Sequence, residues 1–248
     1  MAEIELNDLG GGVTMLTLNC APVNALSPGF LDAFGATLDR LEADENVRAV
    51  VLSSGCKVFS AGLDLKAAQH FGPEEQNDIV RALNDDFLKL FAFPKPVIAA
   101  VNGAAIAGGL FFVLGSDYRL SAPRAQFGLA EVRVGVDFPV GPMEIARATL
   151  DPNTLRRLML TGQPITSEIA LQAGIVDEIV PDDDLLNTAC TKAAEMAQIP
   201  PKSYALVKAQ IRSETIGRIT TAVSQGANAP EGGWFSDETL PAMQRMIG

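Results

Sequence analysis

Val97-Ile98-Ala99-Ala100-Val101-Asn102-Gly103-Ala104-Ala105-Ile106-Ala107-Gly108-Gly109 reads as a buried strand that turns on glycine into a helix start. Val97–Val101 has no polar alternate, the pattern of a strand covered on both faces. The uncharged run continues to Leu114 and is long enough to raise the membrane question. Asn102, Gly103, Gly108, Gly109 and Gly115, with Pro94 and Pro96 upstream, mark a strand, a turn and a helix start instead of a span.

The same layout stands earlier, where Val50–Ser53 leads to Phe59-Ser60-Ala61-Gly62-Leu63-Asp64-Leu65. In both segments small residues let the backbone turn sharply and come close to a ligand. N–H groups freed at the following helix start can then receive partial negative charge. If the two turns lie side by side, two N–H groups converge as an oxyanion hole, each donor contributing roughly 3–4 kcal/mol to a developing enolate. A strand–glycine–helix junction is also an ordinary connector, so the pattern alone leaves both readings open.

Outward from these turns, strand and helix alternate. Ile4–Leu6 and Val13–Leu18 form a hairpin across Gly10, Gly11 and Gly12. Ser27 caps a helix with Pro28 at its first position and Phe30, Phe34, Leu38 and Leu41 on one face. Ala49–Ser53 is a buried strand, Pro73–Phe91 an amphipathic helix and Tyr118–Ser121 a strand. Pro139–Leu150 and Asn153–Leu160 read as helices and Val176–Val180 as a further strand, which together make an α/β domain. Beyond Asp182 only helical patterns follow, in Leu185–Ile199, Ser203–Ile211 and Ser236–Ile247. Pro200-Pro201 and Gly226–Gly233 are the hinges.

The 248 residues are 48% hydrophobic and 20% charged, the composition of a soluble globular protein with one good-sized core. A net charge of -11 argues against a nucleic-acid partner and gives no long-range attraction for an anion. A phosphate-bearing ligand would have to be held locally. Cys20, Cys56 and Cys190 are odd in number and widely spaced, as expected of reduced thiols in the cytoplasm. No basic segment followed by an apolar run opens the chain, so a secretory signal is not expected. One histidine, His70, and unpaired cysteines do not suit a zinc site.

Phe59-Ser60-Ala61-Gly62-Leu63-Asp64-Leu65, Asn102-Gly103, Ala107-Gly108-Gly109 and Ser116-Asp117-Tyr118-Arg119 resemble the signature of the crotonase (enoyl-CoA hydratase/isomerase) superfamily. Ala125-Gln126-Phe127-Gly128 before Glu131, Val134-Gly135-Val136 and Ala173-Gly174-Ile175-Val176-Asp177 continue the match in order, and it runs to Phe235-Ser236-Asp237. The resemblance implies a spiral of repeated ββα units over residues 1–181 and a helical trimerisation region over 182–248. It implies a homotrimer or hexamer acting on an acyl-CoA thioester, with coenzyme A as part of the substrate and no further cofactor. The thioester carbonyl would lie between the backbone N–H groups of Leu63 and Gly108. Ala61, Gly62, Leu63, Asp64, Leu65 and Lys66 would contact coenzyme A, chiefly through the main chain, and Val23 and Phe111 would complete the substrate site.

One departure from the family pattern bears on the reaction. The family's hydratases use two glutamates, the first three residues after the oxyanion glycine. That place holds Phe111, while the second maps onto Glu131. Phenylalanine cannot hold a water or move a proton, whereas a lone carboxylate beside an oxyanion hole can shuttle one. Pro22–Ser27, Val58–Leu65 and Gly174–Val180 look most like the 3,2-trans-enoyl-CoA isomerases, which also keep only the second glutamate. The expected activity is therefore a double-bond shift in fatty-acid oxidation. Hydration, another crotonase reaction, and a non-catalytic acyl-CoA binder are the alternatives. Glu131 alone would read as a loop carboxylate, and Phe111 and Phe112 as core. Asp137 stands near a second acid of some relatives but out of register. Asp117 reads as ordering the turn into Tyr118, and Lys57, Lys66 and Arg245 as phosphate partners or solvated charges.

Overall fold

A computed structural model describes residues 3–247. Met1, Ala2 and Gly248, the outermost residues of the two expected regions, lie outside the described residues. The chain opens with a hairpin of β1 (Ile4–Gly10) and β2 (Val13–Leu18). From β2 onward one unit recurs: a long strand, a short strand, a helix. β2 is followed by β3 (Ala25–Leu26) and α1 (Pro28–Ala43). β4 (Ala49–Ser54) leads to β5 (Gly62–Leu63), the single turn α2 (Leu65–Ala68) and α3 (Pro73–Ala92). β6 (Val97–Val101) leads to β7 (Ala105–Ile106) and α4 (Leu110–Leu114), and β8 (Tyr118–Ser121) to β9 (Gln126–Gly128) and α5 (Val140–Thr149). Then come α6 (Pro152–Thr161), β10 (Ile165–Thr166), α7 (Ser167–Gln172), β11 (Glu178–Ile179), α8 (Leu185–Met196), α9 (Pro201–Ser224) and α10 (Thr239–Ile247). The architecture is the expected α/β spiral of ββα units.

The long strands form one six-stranded sheet in the order β1-β2-β4-β6-β8-β11, parallel except for the β1 edge. Because successive side chains of a strand point to opposite faces, the apolar runs feed two cores. Val50, Leu52, Val97, Ala99 and Val101 pack with the aromatic residues of α1, α3 and α4. Ala49, Val51, Ile98, Ala100 and Leu120 meet α8 on the other face. That helix presents Leu185, Ala189, Ala193 and Ala197 at four-residue spacing, a smooth stripe that lets it lie close to the sheet. The apolar run 97–114 is thus a strand, a short strand and one five-residue helix, and among the described residues no helix is long and apolar enough to cross a membrane.

Local signals account for much of this. The Ser27 hydroxyl accepts the Phe30 N–H at 3.2 Å, and Pro28 sits in the first turn of α1. Other elements differ from expectation. β1 runs on to Gly10, because an edge strand with mostly exposed side chains carries no apolar alternation. α9 continues to Ser224 instead of ending at Ile211; it buries only Lys208 and Ile219, so its sequence lacks a clear apolar face. The strand expected over Val176–Val180 shortens to β11.

Asp117 is the largest surprise. It does steady the start of β6, accepting the Val97 N–H at 2.9 Å, but its carboxylate is buried between Lys208 at 2.7 Å and Arg212 at 2.9 Å. Arg212 also donates to the Phe91 and Gly115 carbonyls and lies over the Phe91 ring at 4.3 Å. Burial pulls the Lys208 ammonium down to about 8 even with Asp117 beside it. This cluster rivets α9 to the sheet. Asp117→Ala is expected to destabilise the fold by about 3–5 kcal/mol in urea denaturation, since two cations would stay buried without their counter-charge. A loss under about 1 kcal/mol would mean that they are not truly desolvated.

Candidate active site

The short strands build the site. β3 runs beside β5 with Leu26 opposite Leu63, Ser60 bridges Ala105, and β7 runs beside β9 with Ile106 opposite Gly128. This ladder lays the two glycine turns against each other. The Phe59 and Ser60 N–H groups donate to the Ala104 carbonyl at 2.9 and 3.1 Å, and the Ile106 N–H returns a bond to Ser60 at 3.0 Å. A side chain on Gly62 would lie 2.8 Å from Ala107 Cβ and 3.3 Å from the Gly108 nitrogen, so the turns touch.

Each expected oxyanion donor follows a left-handed residue. Gly62, before Leu63, has φ 79°, and Ala107, before Gly108, has φ 51°. The conformation is free for glycine but costs alanine about 1–2 kcal/mol, a strain the surrounding ladder must hold. Ala107 opens a 3₁₀ turn (Ala107–Gly109), where the Gly108 N–H precedes any carbonyl that the helix could offer it. A Cβ on Gly108 would strike Leu26 at 2.6 Å, and one on Gly109 would strike the Ser60 carbonyl at 2.6 Å. The helices that follow are short, four residues in α2 and five in α4, so an oxyanion hole here would rest on its own N–H groups more than on a long helix dipole.

Below the first turn lies a polar clamp that the sequence did not disclose. Buried Asn24, itself at φ 48°, accepts the Cys20 N–H at 2.7 Å and donates to Ser54 at 2.8 Å and the Phe59 carbonyl at 2.9 Å. The Ser60 hydroxyl donates to the Asn24 carbonyl at 2.7 Å. Hydrogen bonds over such distances in sequence leave no local pattern to read.

Glu131 stands three residues beyond Gly128 and opens a 3₁₀ turn (Glu131–Arg133) at the wall of an apolar pocket. Leu63, Gly108, Ala61, Leu65 and Phe111 line the same pocket, as do Leu26, Leu83, Phe138, Trp234 and Met246. Glu131 is the one ionisable side chain in that lining. It is buried, its Oε2 has no hydrogen-bond partner among the described residues, and burial pushes its pKa up to about 8. Phe111 is fully buried and packs on Phe87 at 5.6 Å between ring centres, so it is both core and pocket wall; Phe112 is core.

The remaining expected residues lie around this group. Gly62 shapes the turn without lining the pocket, and the Val23 carbonyl accepts the Ala61 N–H at 3.0 Å, so Val23 supports the turn through its main chain. Asp64 caps α2, accepting the Lys66 and Ala67 N–H groups, and Lys66 is exposed. Lys57, His70 and Arg245 are exposed as well. Asp137 does not line the pocket; it accepts the Trp234 indole N–H at 2.8 Å. Trp234 and Met246, some 100 residues after Glu131, were not read from sequence as site residues, although Trp234 is the chain's one tryptophan and follows a glycine pair. Among the described residues no group of three or more His, Cys, Asp or Glu side chains could hold a metal.

Residues 8–229 match the family model described as enoyl-CoA hydratase/isomerase. The chain belongs to this family. It is 34% identical over 217 residues to the human protein named "Enoyl-CoA delta isomerase 1, mitochondrial", covering 86% of this chain and 72% of the human one. It is 30% identical to the Mycobacterium tuberculosis protein named "Probable enoyl-CoA hydratase EchA17", over 81% of this chain and 77% of that one. The crystal structure of human mitochondrial delta3-delta2-enoyl-CoA isomerase superposes with a TM-score of 0.90 at 30% identity, over 99% of this chain and 97% of that one. Hydratases and isomerases both stand among the relatives, so the family does not fix the reaction.

A buried carboxyl in this enoyl-CoA hydratase/isomerase site has a measurable cost. An ordinary glutamate titrates at 4.5, and this one at about 8. Between those values the native chain holds a proton that the unfolded chain has released, so this group's contribution to stability falls as pH rises through the window. Glu131→Gln removes that dependence. In thermal or urea unfolding, its advantage over the native protein is expected to grow from pH 4 to pH 8, reaching on the order of 4–5 kcal/mol. A constant difference across that range would show that Glu131 is hydrated.

Proposed function

We propose that this chain is a 3-enoyl-CoA to 2-trans-enoyl-CoA isomerase in which Glu131 is the single acid/base group. The observation that carries the reading is the pocket lining: one ionisable side chain, with fully buried Phe111 at the position where the hydratases place their first glutamate. The carboxylate of Glu131 takes a proton from the α-carbon of a 3-enoyl thioester. The electron pair moves into the conjugated system, and the resulting dienolate oxygen is held by the Leu63 and Gly108 N–H groups. Glu131 then returns the same proton at the γ-carbon, so the double bond shifts and no atom is gained or lost. Apolar walls keep water away from the intermediate and raise the carboxyl's proton affinity toward the working pH.

Ala61 to Lys66 would receive coenzyme A through the main chain, with the pantetheine approaching along the exposed Ala61 edge. A homotrimer or a pair of trimers is supported by the exposed apolar residues Leu206, Val207 and Ile211 on α9. The cytoplasm would suit three free cysteines. The hydratase names among the relatives favour one second reading, weak hydration of 2-enoyl-CoA.

Product masses separate the two, since hydration adds one water and isomerisation adds nothing. The purified protein is expected to convert 3-enoyl-CoA to 2-enoyl-CoA, and Glu131→Gln to lose about 10²–10⁴-fold in kcat. As the base must be unprotonated, kcat/KM should rise with pH through about 8. Full activity in Glu131→Gln, or a hydrated product as the main one, would overturn the proposal.

A further inference from the structure

Phe138, Pro139 and Trp234 line two cavities at once. One is the pocket that holds Glu131; the other adjoins it, bounded further by Val80, Asp137, Val140, Ala227 and Pro230. The indole of Trp234 therefore stands as a wall between them. It arrives on a strap, the segment between α9 and α10, in which Gly226, Gly232 and Gly233 all adopt positive φ. Trp234 and Phe235 pack against the core from this strap, and a few polar anchors fix its course. Asn228 is held by Asn84 at 2.8 Å and by Asp85 at 3.0 Å, and the Phe235 N–H donates to Gln76 at 2.9 Å. The side chain of Trp234 itself has one polar tether, the 2.8 Å bond from its Nε1–H to Asp137.

We infer that Trp234 is the partition that sets how long an acyl chain the site accepts, and that Asp137 is the positioning residue that keeps it closed. The first cavity is apolar and already contains the proposed oxyanion donors and Glu131, so a short acyl tail fits within it. A longer tail needs the second cavity, and reaches it only when the indole turns away from Asp137. The two cavities also share Phe138 and Pro139, which lead straight into α5, whereas the indole is carried on the strap and tethered by one hydrogen bond. The inference rests on the acyl-CoA reading of the pocket, though not on which reaction occurs there.

The test uses the full-length chain and two readouts. Equilibrium binding of saturated hexanoyl-, dodecanoyl- and hexadecanoyl-CoA, which cannot react, reports the partition. Turnover of the matching 3-enoyl series reports the reaction. Asp137→Ala and Trp234→Ala are expected to raise the ratio of long-chain to short-chain affinity by about tenfold or more. Asp137→Asn keeps an acceptor for the indole and should restore the native ratio. Asp137 is exposed, so its variants keep the test open if Trp234→Ala does not fold. Unchanged ratios in both alanine variants would overturn the inference, and a shift in Trp234→Ala alone would overturn the part given to Asp137. Shifted binding ratios without any turnover would uphold the partition while removing the isomerase reading.

Discussion

The site depends on one short backbone ladder. Bridges at Leu26–Leu63, Ser60–Ala105 and Ile106–Gly128 bring four successive ββα units to a common edge. The large sheet supplies rigidity, but it is these few pairings that decide where the N–H groups of Leu63 and Gly108 stand. They also hold Ala107 in a conformation that an isolated chain would leave. Main-chain donors fixed this way need no side chain of a given kind at Leu63.

Two different kinds of acid burial stand at opposite ends of the parallel strands. Around Asp117 a carboxylate is surrounded by Lys208, Arg212 and a backbone N–H, and its burial is matched by opposite charge. Around Glu131 no opposite charge lines the pocket, burial outweighs a backbone hydrogen bond, and the carboxyl answers by holding its proton. The first arrangement fastens a helix; the second leaves a group that can exchange a proton near neutrality. Buried acids are not alike, and their partners tell which role each takes.

Much of this was open to reading in the sequence, where neighbours in the chain are neighbours in space. The glycines of both turns, the Ser27–Pro28 helix start and the unalternating apolar strands are local signals. Glu131 and Phe111 gained meaning only beside motifs in fixed order. The rest was hidden for physical reasons. β5, β7 and β9 are two or three residues long, too short for any periodicity. Asp117 meets Lys208 and Arg212 more than 90 residues away, and Asn24 clamps a turn 35 residues further on. Trp234 enters the pocket from a segment whose composition suggests only a hinge.

Phe111 carries a consequence for how such a site can change. Its ring belongs to an aromatic stack with Phe87, which in turn supports Phe112 and, through it, Phe34. A glutamate there would open a void in that stack and set a second acid in a pocket whose resident carboxyl already resists ionisation. Gaining a water-activating pair would thus require concerted repacking of the neighbouring helix. The aromatic stack thus ties the residue at position 111 to the packing of three helices at once.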